Sequence, residues 1–393
     1  MRIGIFSDSY RPYVSGVVTS ICTFSEELNK LGHETFIFAP SYPNYRDKEK
    51  NIYRFFSIPS PTNPDFSLPV PVSPRITAIV KKLDLDVIHV QSPFLLGGLG
   101  ARCARRFDLP LVFTYHTMYD QYVHYVPVAQ DWAKDFTVRY SRHFCNRCDL
   151  VITPSPEVRD LIRTYDVRTP IEVIPTGVVV EKFSQGDPGW LHSAFNIPPE
   201  RKICLFVGRL TREKNVDFLI KAFTRVKKEY QDVSLVIVAA GPLEKELKKL
   251  VMSEGLAINE DVIFTGFLGS DDLINAYAGA DIFTFGSVTE TQGIVLVEAM
   301  AAGVPVVAVR ATGSQEMLDN GNQGVLTDYD LGSFSAGILK LLTDNDYRQK
   351  LSVMASKRAV ELSSRAMAHR LEEVYEDLMR ERKYRGRKLV SRL

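Results

Sequence analysis

An α/β fold with two doubly wound, mainly parallel sheets is what this sequence predicts, and three observations carry the prediction. The chain has 393 residues, too many for one ordinary hydrophobic core, so two domains of roughly 150–200 residues are expected. Short apolar runs alternate with longer amphipathic stretches throughout, as in parallel strands covered by helices. Midway, residues 175–201 lose that periodicity and collect Gly177, Gly186, Pro188, Gly189, Pro198 and Pro199, the composition of a join.

Taken in order, a first series of strands is expected at 2–7, 34–39, 87–90, 111–114, 150–153 and 171–174. A second is expected at 202–207, 233–239, 261–265, 282–285 and 304–309. Helices between them include 16–31, 73–83, 216–230 and 294–302. The expected domains are 1–175 and 201–363, with a linker at 176–200 and a C-terminal helix and basic tail at 364–393. In that helix Met367, Leu371, Val374, Tyr375 and Leu378 form one apolar stripe, which covers one domain or bridges both. Residues 59–74 hold six prolines with Phe66, Leu68, Val70 and Val72 between them. Proline removes backbone donors, so this is an extended loop, either a stiff surface connection or an apolar lip over a substrate cleft.

Apolar residues at 45% and charged residues at 24% exclude a mostly disordered or fibrous chain. The net charge is +1, from 48 basic and 47 acidic side chains, which argues against a nucleic-acid binder. The balance is uneven: 20 basic and 17 acidic (+3) over 1–170, 21 and 29 (−8) over 171–379, and 7 and 1 (+6) over 380–393. Such a basic tail reads as a solvated end or as a group that meets an anionic surface. Cys145 and Cys148 have C-x2-C spacing, but no second pair completes a zinc site, so packing is expected. The N-terminus turns polar too soon for a signal peptide, and no apolar run reaches ~18 residues. A cytoplasmic location, with peripheral attachment to a membrane, is expected.

The segment 285–308 carries the most chemistry. A strand ends near Phe285, a polar loop follows, and an apolar helix starts near Gly293. The amides of Gly293, Ile294 and Val295 sit at the positive end of that helix, suited to a phosphate. Glu290 precedes the helix and Glu298 lies inside it, in so apolar a run that it needs a hydrogen-bonding partner such as ribose hydroxyls; a loop acid and a paired core acid are the alternative. In the second segment, 207–215, Arg209 follows a strand and Lys214 precedes the next helix; such cations alone are usually solvated, but beside the Glu290–Glu298 segment they form a pair suited to a diphosphate. His116 stands just past a strand's C-terminal end, where open α/β sheets bind ligands; a structural role is the alternative. Gly16 opens a helix after the loop 8–15, and Gly241 lies in a strand-to-helix turn; each could admit a ligand closely.

With these residues in hand, the chain resembles the retaining glycosyltransferases of family 4. Their GT-B fold has two facing Rossmann-like domains with a cleft between them. The resemblance spans nearly the whole length. It rests on the E-x7-E motif, Glu290 to Glu298, and on G-R-L-x-x-E-K-N, Gly208 to Asn215, with His116 and the Gly16 loop in support. Residues 6–21 and 287–300 look most like bacterial 1,2-diacylglycerol 3-alpha-glucosyltransferases. The resemblance implies that Arg209 and Lys214 hold the donor diphosphate, the amides of Gly293, Ile294 and Val295 its distal phosphate, and Glu298 the ribose. Glu290 then faces the donor sugar, His116 touches it near the reacting carbon, and Gly16 belongs to a donor loop. Ser15-Gly16 replaces the family's frequent Gly-Gly, and Ala239-Ala240-Gly241 its G-x-G, which bears on loop contacts and not on the fold.

The implied reaction moves a hexose, from UDP-glucose, to a lipid alcohol, 1,2-diacylglycerol, at an anionic membrane surface. No cofactor and no divalent metal are expected, since cations and helix amides can stabilise the leaving diphosphate. Rival readings are a transferase for a soluble acceptor or another lipid such as a phosphoinositide, a GT-B nucleotide-sugar epimerase, and a non-catalytic nucleotide-sugar binding module.

Overall fold

Runs of β-branched and aromatic residues buried on both faces make parallel strands, and this chain has two sheets of them. The computed structural model describes residues 1–60, 66–116, 130–290 and 292–390, excluding the side chains of 130–134, 312, 320 and 385–390. The chain divides into two units, Met1–Gly177 with Ser364–Leu393, and Val178–Ser363.

In the first unit the strands are β1 (Arg2–Phe6), β2 (Glu34–Pro40), β3 (Ile52–Phe55), β4 (Ser57–Pro59), β5 (Ser67–Pro69), β6 (Val87–Val90), β7 (Leu111–Thr114), β8 (Leu150–Thr153) and β9 (Ile171–Val173). Seven form a parallel sheet in the order β3-β2-β1-β6-β7-β8-β9, which reverses direction between β1 and β6. That reversal is the switch point beyond which ligands bind in open sheets. β3 escapes the sequence pattern because it is an edge strand with Arg54 in its middle.

β4 and β5 pair antiparallel, so part of the expected loop 59–74 is a hairpin; residues 61–65 lie outside the described residues. Its pattern is inverted. Ser67 and Pro69 are buried, while Phe56, Ile58, Val70 and Val72 are exposed, the first and last by 72% and 76%. Ile58 pairs with Leu68, and Val70 donates its N–H to the Phe56 carbonyl, so these apolar side chains share the outward face.

The second unit holds β10 (Lys202–Arg209), β11 (Val233–Ala240), β12 (Val262–Phe264), β13 (Ile282–Phe285), β14 (Val306–Val309) and β15 (Gly324–Thr327). Their order is β12-β11-β10-β13-β14-β15, all parallel, with the switch point between β10 and β13. β15 had no expectation because Gly324 and Thr327 shorten its apolar run.

Two expectations about domains change. Residues 178–200 are not a free linker. They form the short helices Val180–Phe183 and Trp190–Phe195, and Leu191 and Ile197 are buried in the second unit's core. The C-terminal helix, Ser364–Val390, belongs to the first unit: Met367, Leu371 and Tyr375 join Ile3, Val112 and Ile152 in one cluster. Each such large apolar side chain contributes roughly 1.5–3 kcal/mol by burial. The basic tail is partly neutralised at its start. Arg380 pairs with Asp377 at 2.8 Å, and Arg382 with Asp108 at 2.5 Å and Asp149 at 3.3 Å. Cys145 and Cys148 are both buried, and burial pushes the Cys145 thiol up to about 12. No helix among the described residues is long and apolar enough to cross a membrane.

Candidate active site

At the second unit's switch point the two sequence segments meet. β10 ends at Arg209, and a single 3-10 turn, Arg212–Lys214, leads to the helix Val216–Glu229. β13 ends at Phe285, and its loop leads to the helix Ile294–Ala301. Three bonds stitch the loops together. Ser287 Oγ donates to the Glu213 carbonyl at 2.9 Å, Asn215 Nδ2 donates to the Gly286 carbonyl at 2.9 Å, and Lys214 Nζ donates to Glu290 Oε2 at 2.5 Å. Lys214 and Glu290 are each about one-fifth exposed, so their attraction is less screened than that of a surface pair. Arg209 is exposed and its guanidinium has no hydrogen bond or ion pair among the described residues.

Gly293 opens the helix Ile294–Ala301 at φ 72°, a left-handed conformation that costs other residues roughly 1–2 kcal/mol. The first backbone bond of that helix runs from Leu296 N–H to the Gly293 carbonyl. The amides of Gly293, Ile294 and Val295 precede it, as do the orphan donors of any helix start. Behind them Gly313 donates its N–H to the Glu290 carbonyl at 3.0 Å, and a Cβ on Gly313 would sit 2.9 Å from that oxygen. The loop carrying Glu290 therefore rests directly on Gly313's backbone.

Glu298 is half-buried one turn inside the helix, and Tyr277 Oη donates to its Oε2 at 2.7 Å. Burial pushes the Glu298 carboxyl up to about 7, and the Tyr277 bond pulls it partly back. One carboxylate oxygen is thus occupied, and the other is open to a hydroxyl donor.

The first unit holds the two remaining sequence candidates. His116 follows β7, with Nε2 2.7 Å from Gln91 Oε1, and burial lowers its pKa to about 4, so the ring is neutral near pH 7. Beneath it His89 is buried, with Nδ1 2.6 Å from Tyr375 Oη and Nε2 2.7 Å from Thr114 Oγ1. Gly16 is the first residue of the helix Gly16–Lys30, capped by Ser15 Oγ accepting from Val18 N–H at 3.3 Å. A Cβ on Gly16 would meet nothing within 4 Å, so open space lies over it.

Gly241 is different. A Cβ there would sit 2.6 Å from the Leu210 carbonyl, so the glycine serves close backbone packing and faces no ligand space. Sequence reasoning missed Tyr277, Ser287, Asn215 and Gly313. Asn215 lay inside the quoted G-R-L-x-x-E-K-N stretch, where an amide before a helix was the available signal, and Ser287 inside the segment 285–308; nothing local marked Tyr277 or Gly313.

The family described as "Glycosyltransferase Family 4" matches residues 14–182, and "Glycosyl transferases group 1" matches residues 191–358. An alpha-monoglucosyldiacylglycerol synthase of Streptococcus pneumoniae is 38% identical, over 78% of this chain and 71% of that protein. One of Acholeplasma laidlawii is 30% identical, over 83% and 84%. A GDP-mannose-dependent alpha-mannosyltransferase of Corynebacterium glutamicum is 32% identical, over 84% and 77%. Among solved structures, sucrose-phosphate synthase from Thermosynechococcus elongatus superposes with a TM-score of 0.77 at 20% identity, covering 97% of this chain and 99% of that one. At that identity the likeness speaks for the fold.

Proposed function

Because the chain belongs to glycosyltransferase family 4, the reaction it catalyses is a glycosyl transfer, and we propose that it moves glucose from UDP-glucose to 1,2-diacylglycerol with retention at the anomeric carbon. The observation that carries the donor half is the stitched loop pair of the second unit. It gathers two cations, Arg209 and Lys214, three helix-start amides and two carboxylates at one sheet's switch point.

The charge that develops in the transfer is a leaving diphosphate and an electron-poor sugar. Arg209, Lys214 and the amides of Gly293, Ile294 and Val295 stabilise the first without a metal ion. Glu298 accepts from the ribose hydroxyls through its open oxygen, and Glu290 faces the sugar, where its negative charge offsets the cationic carbon. Gly16 lets the donor approach the start of its helix. His116 is the first unit's contribution, a neutral imidazole able to hydrogen-bond the sugar or the acceptor hydroxyl.

The lipid acceptor is supported by the printed activity of the Streptococcus pneumoniae and Acholeplasma laidlawii relatives, and by the outward apolar face of the β4–β5 hairpin. Exposed apolar patches of this kind mark interaction surfaces. A peripheral membrane location follows from the same reading. The test incubates the protein with UDP-glucose or GDP-mannose, with and without diacylglycerol, and follows free nucleotide and glycolipid together. Glucolipid formed only from UDP-glucose and diacylglycerol is the expected result. Mannolipid from GDP-mannose would transfer the reading to the mannosyltransferases, and nucleotide release without lipid product would point to a soluble acceptor.

A further inference from the structure

Two helices of the first unit carry cations that have no ion pair among the described residues. Leu95–Phe107 presents Arg102, Arg105 and Arg106; Gln130–Cys145 and the turn after it present Arg139, Arg142 and Arg147, all exposed. Several other arginines of this unit are paired, Arg54 with Asp47, Arg168 with Asp166, Arg370 with Glu172, and Arg382 with Asp108 and Asp149, whereas Arg46, Arg75 and Arg365 are, like the six, exposed without an ion pair among the described residues. No ion pair within 4.0 Å involves any of the six among the described residues. Asp166, the carboxylate that senses Arg142, is itself held by Arg168 at 3.0 Å.

Three of the six converge. Arg102, Arg105 and Arg147 line one groove of about 330 Å³, floored by Gly98 and Ala101 and walled by Tyr140. Its volume matches the lower end of small-ligand sites. Like charges around one groove repel, and an anion between them reverses that repulsion. Guanidinium forks fit phosphate oxygens bidentately, and a floor of small residues lets the anion lie low between the helices. Tyr140 is fixed by its bond to the Pro93 carbonyl at 2.9 Å and stacks between Phe94 and Phe136, at 5.4 and 6.0 Å between ring centroids. The outer rings are 40% and 53% exposed, so an apolar ladder adjoins the cationic groove.

We propose that this groove is a binding site for a phosphate ester, held by Arg102, Arg105 and Arg147. None of these residues belongs to the second unit, so the site stands or falls independently of the donor assignments. The same chemistry is offered by a phospholipid headgroup and by a soluble phosphate, and the adjoining ladder suits the former.

The experiment compares the full chain with two charge-matched variants, R102Q/R105Q/R147Q in the groove and R106Q/R139Q/R142Q outside it. All six side chains are exposed, so circular dichroism and Tm should match the parent. Binding is measured by calorimetry with inorganic phosphate and glycerol 3-phosphate, and by flotation with phosphatidylcholine vesicles containing or lacking phosphatidylglycerol. The groove variant should lose about tenfold or more in affinity, as for loss of charge-assisted bonds, and the outer variant only a few-fold. Saturable binding of glycerol 3-phosphate identifies a soluble ligand; binding confined to phosphatidylglycerol vesicles identifies the headgroup. Equal losses in the two variants, or no binding of any probe by the parent chain, would overturn the proposal.

Discussion

Lys214 Nζ lies 2.5 Å from Glu290 Oε2, an ion pair that joins the loop after β10 to the loop after β13. The pair holds a cation and an anion where a diphosphate and a sugar must be told apart. Lys214→Ala should lower turnover by about 10²–10³-fold, the usual cost of one preorganised donor. Glu290→Gln should lower turnover without weakening UDP binding, because it removes a negative charge beside the diphosphate. Calorimetry with UDP decides: weaker binding by Glu290→Gln would reject the division of roles.

Arg209 is exposed and has no partner among the described residues, so its removal should spare stability. Arg209→Ala is expected to lose roughly 2–4 kcal/mol of transition-state stabilisation, read as kcat/KM, with weaker UDP binding and an unchanged Tm. Unchanged turnover would remove the diphosphate assignment.

Glu298 should make nucleotide binding pH-dependent. Its folded pKa is raised from 4.5 to about 7 by burial, so the folded state holds the proton more tightly than the unfolded chain. The contribution to stability is complete below the unfolded value and is lost as pH rises through about 7. Ribose hydroxyls bond best to the ionised form, so UDP affinity should rise across that interval and then level. Tyr277→Phe removes the bond that lowers the pKa and should move the rise to higher pH. Glu298→Gln should weaken binding and flatten the profile; an unaltered profile in that variant would assign the titration elsewhere.

The C-terminal helix should be indispensable to the first unit. Tyr375→Phe keeps the ring but leaves His89 Nδ1 without its partner, and a loss of about 1–3 kcal/mol is expected in denaturant unfolding. Removing residues 364–393 uncovers the cluster around Ile3 and Val112 and should yield insoluble protein. A soluble, folded truncation would contradict the packing.

Vesicle co-sedimentation should require anionic lipid and fall as salt rises. Each basic residue near such a surface is worth ~1 kcal/mol. Because Arg382 is tied to Asp108 and Asp149, the informative truncation begins after it; deleting 383–393 should weaken binding without loosening the helix. Equal binding to neutral vesicles would reject the electrostatic part.

Much of the fold was legible because strands and helices announce themselves locally. Continuous apolar runs such as 202–207 and 282–285 read as buried parallel strands, and they are. The positions of Arg209, Lys214, Glu290, Gly293 and Glu298 at strand ends and helix starts were equally local, set by spacing along the chain. Partners were not. Tyr277 reaches Glu298 from another helix, Gly313 supports Glu290 from beyond β14, and Tyr375 returns to His89 from the far end of the sequence. The inverted face of the β4–β5 hairpin and the ownership of the helix Ser364–Val390 were hidden for the same reason. Periodicity states which side of an element is apolar, but which surface covers it depends on contacts between segments distant in sequence, and those exist only once the chain has folded.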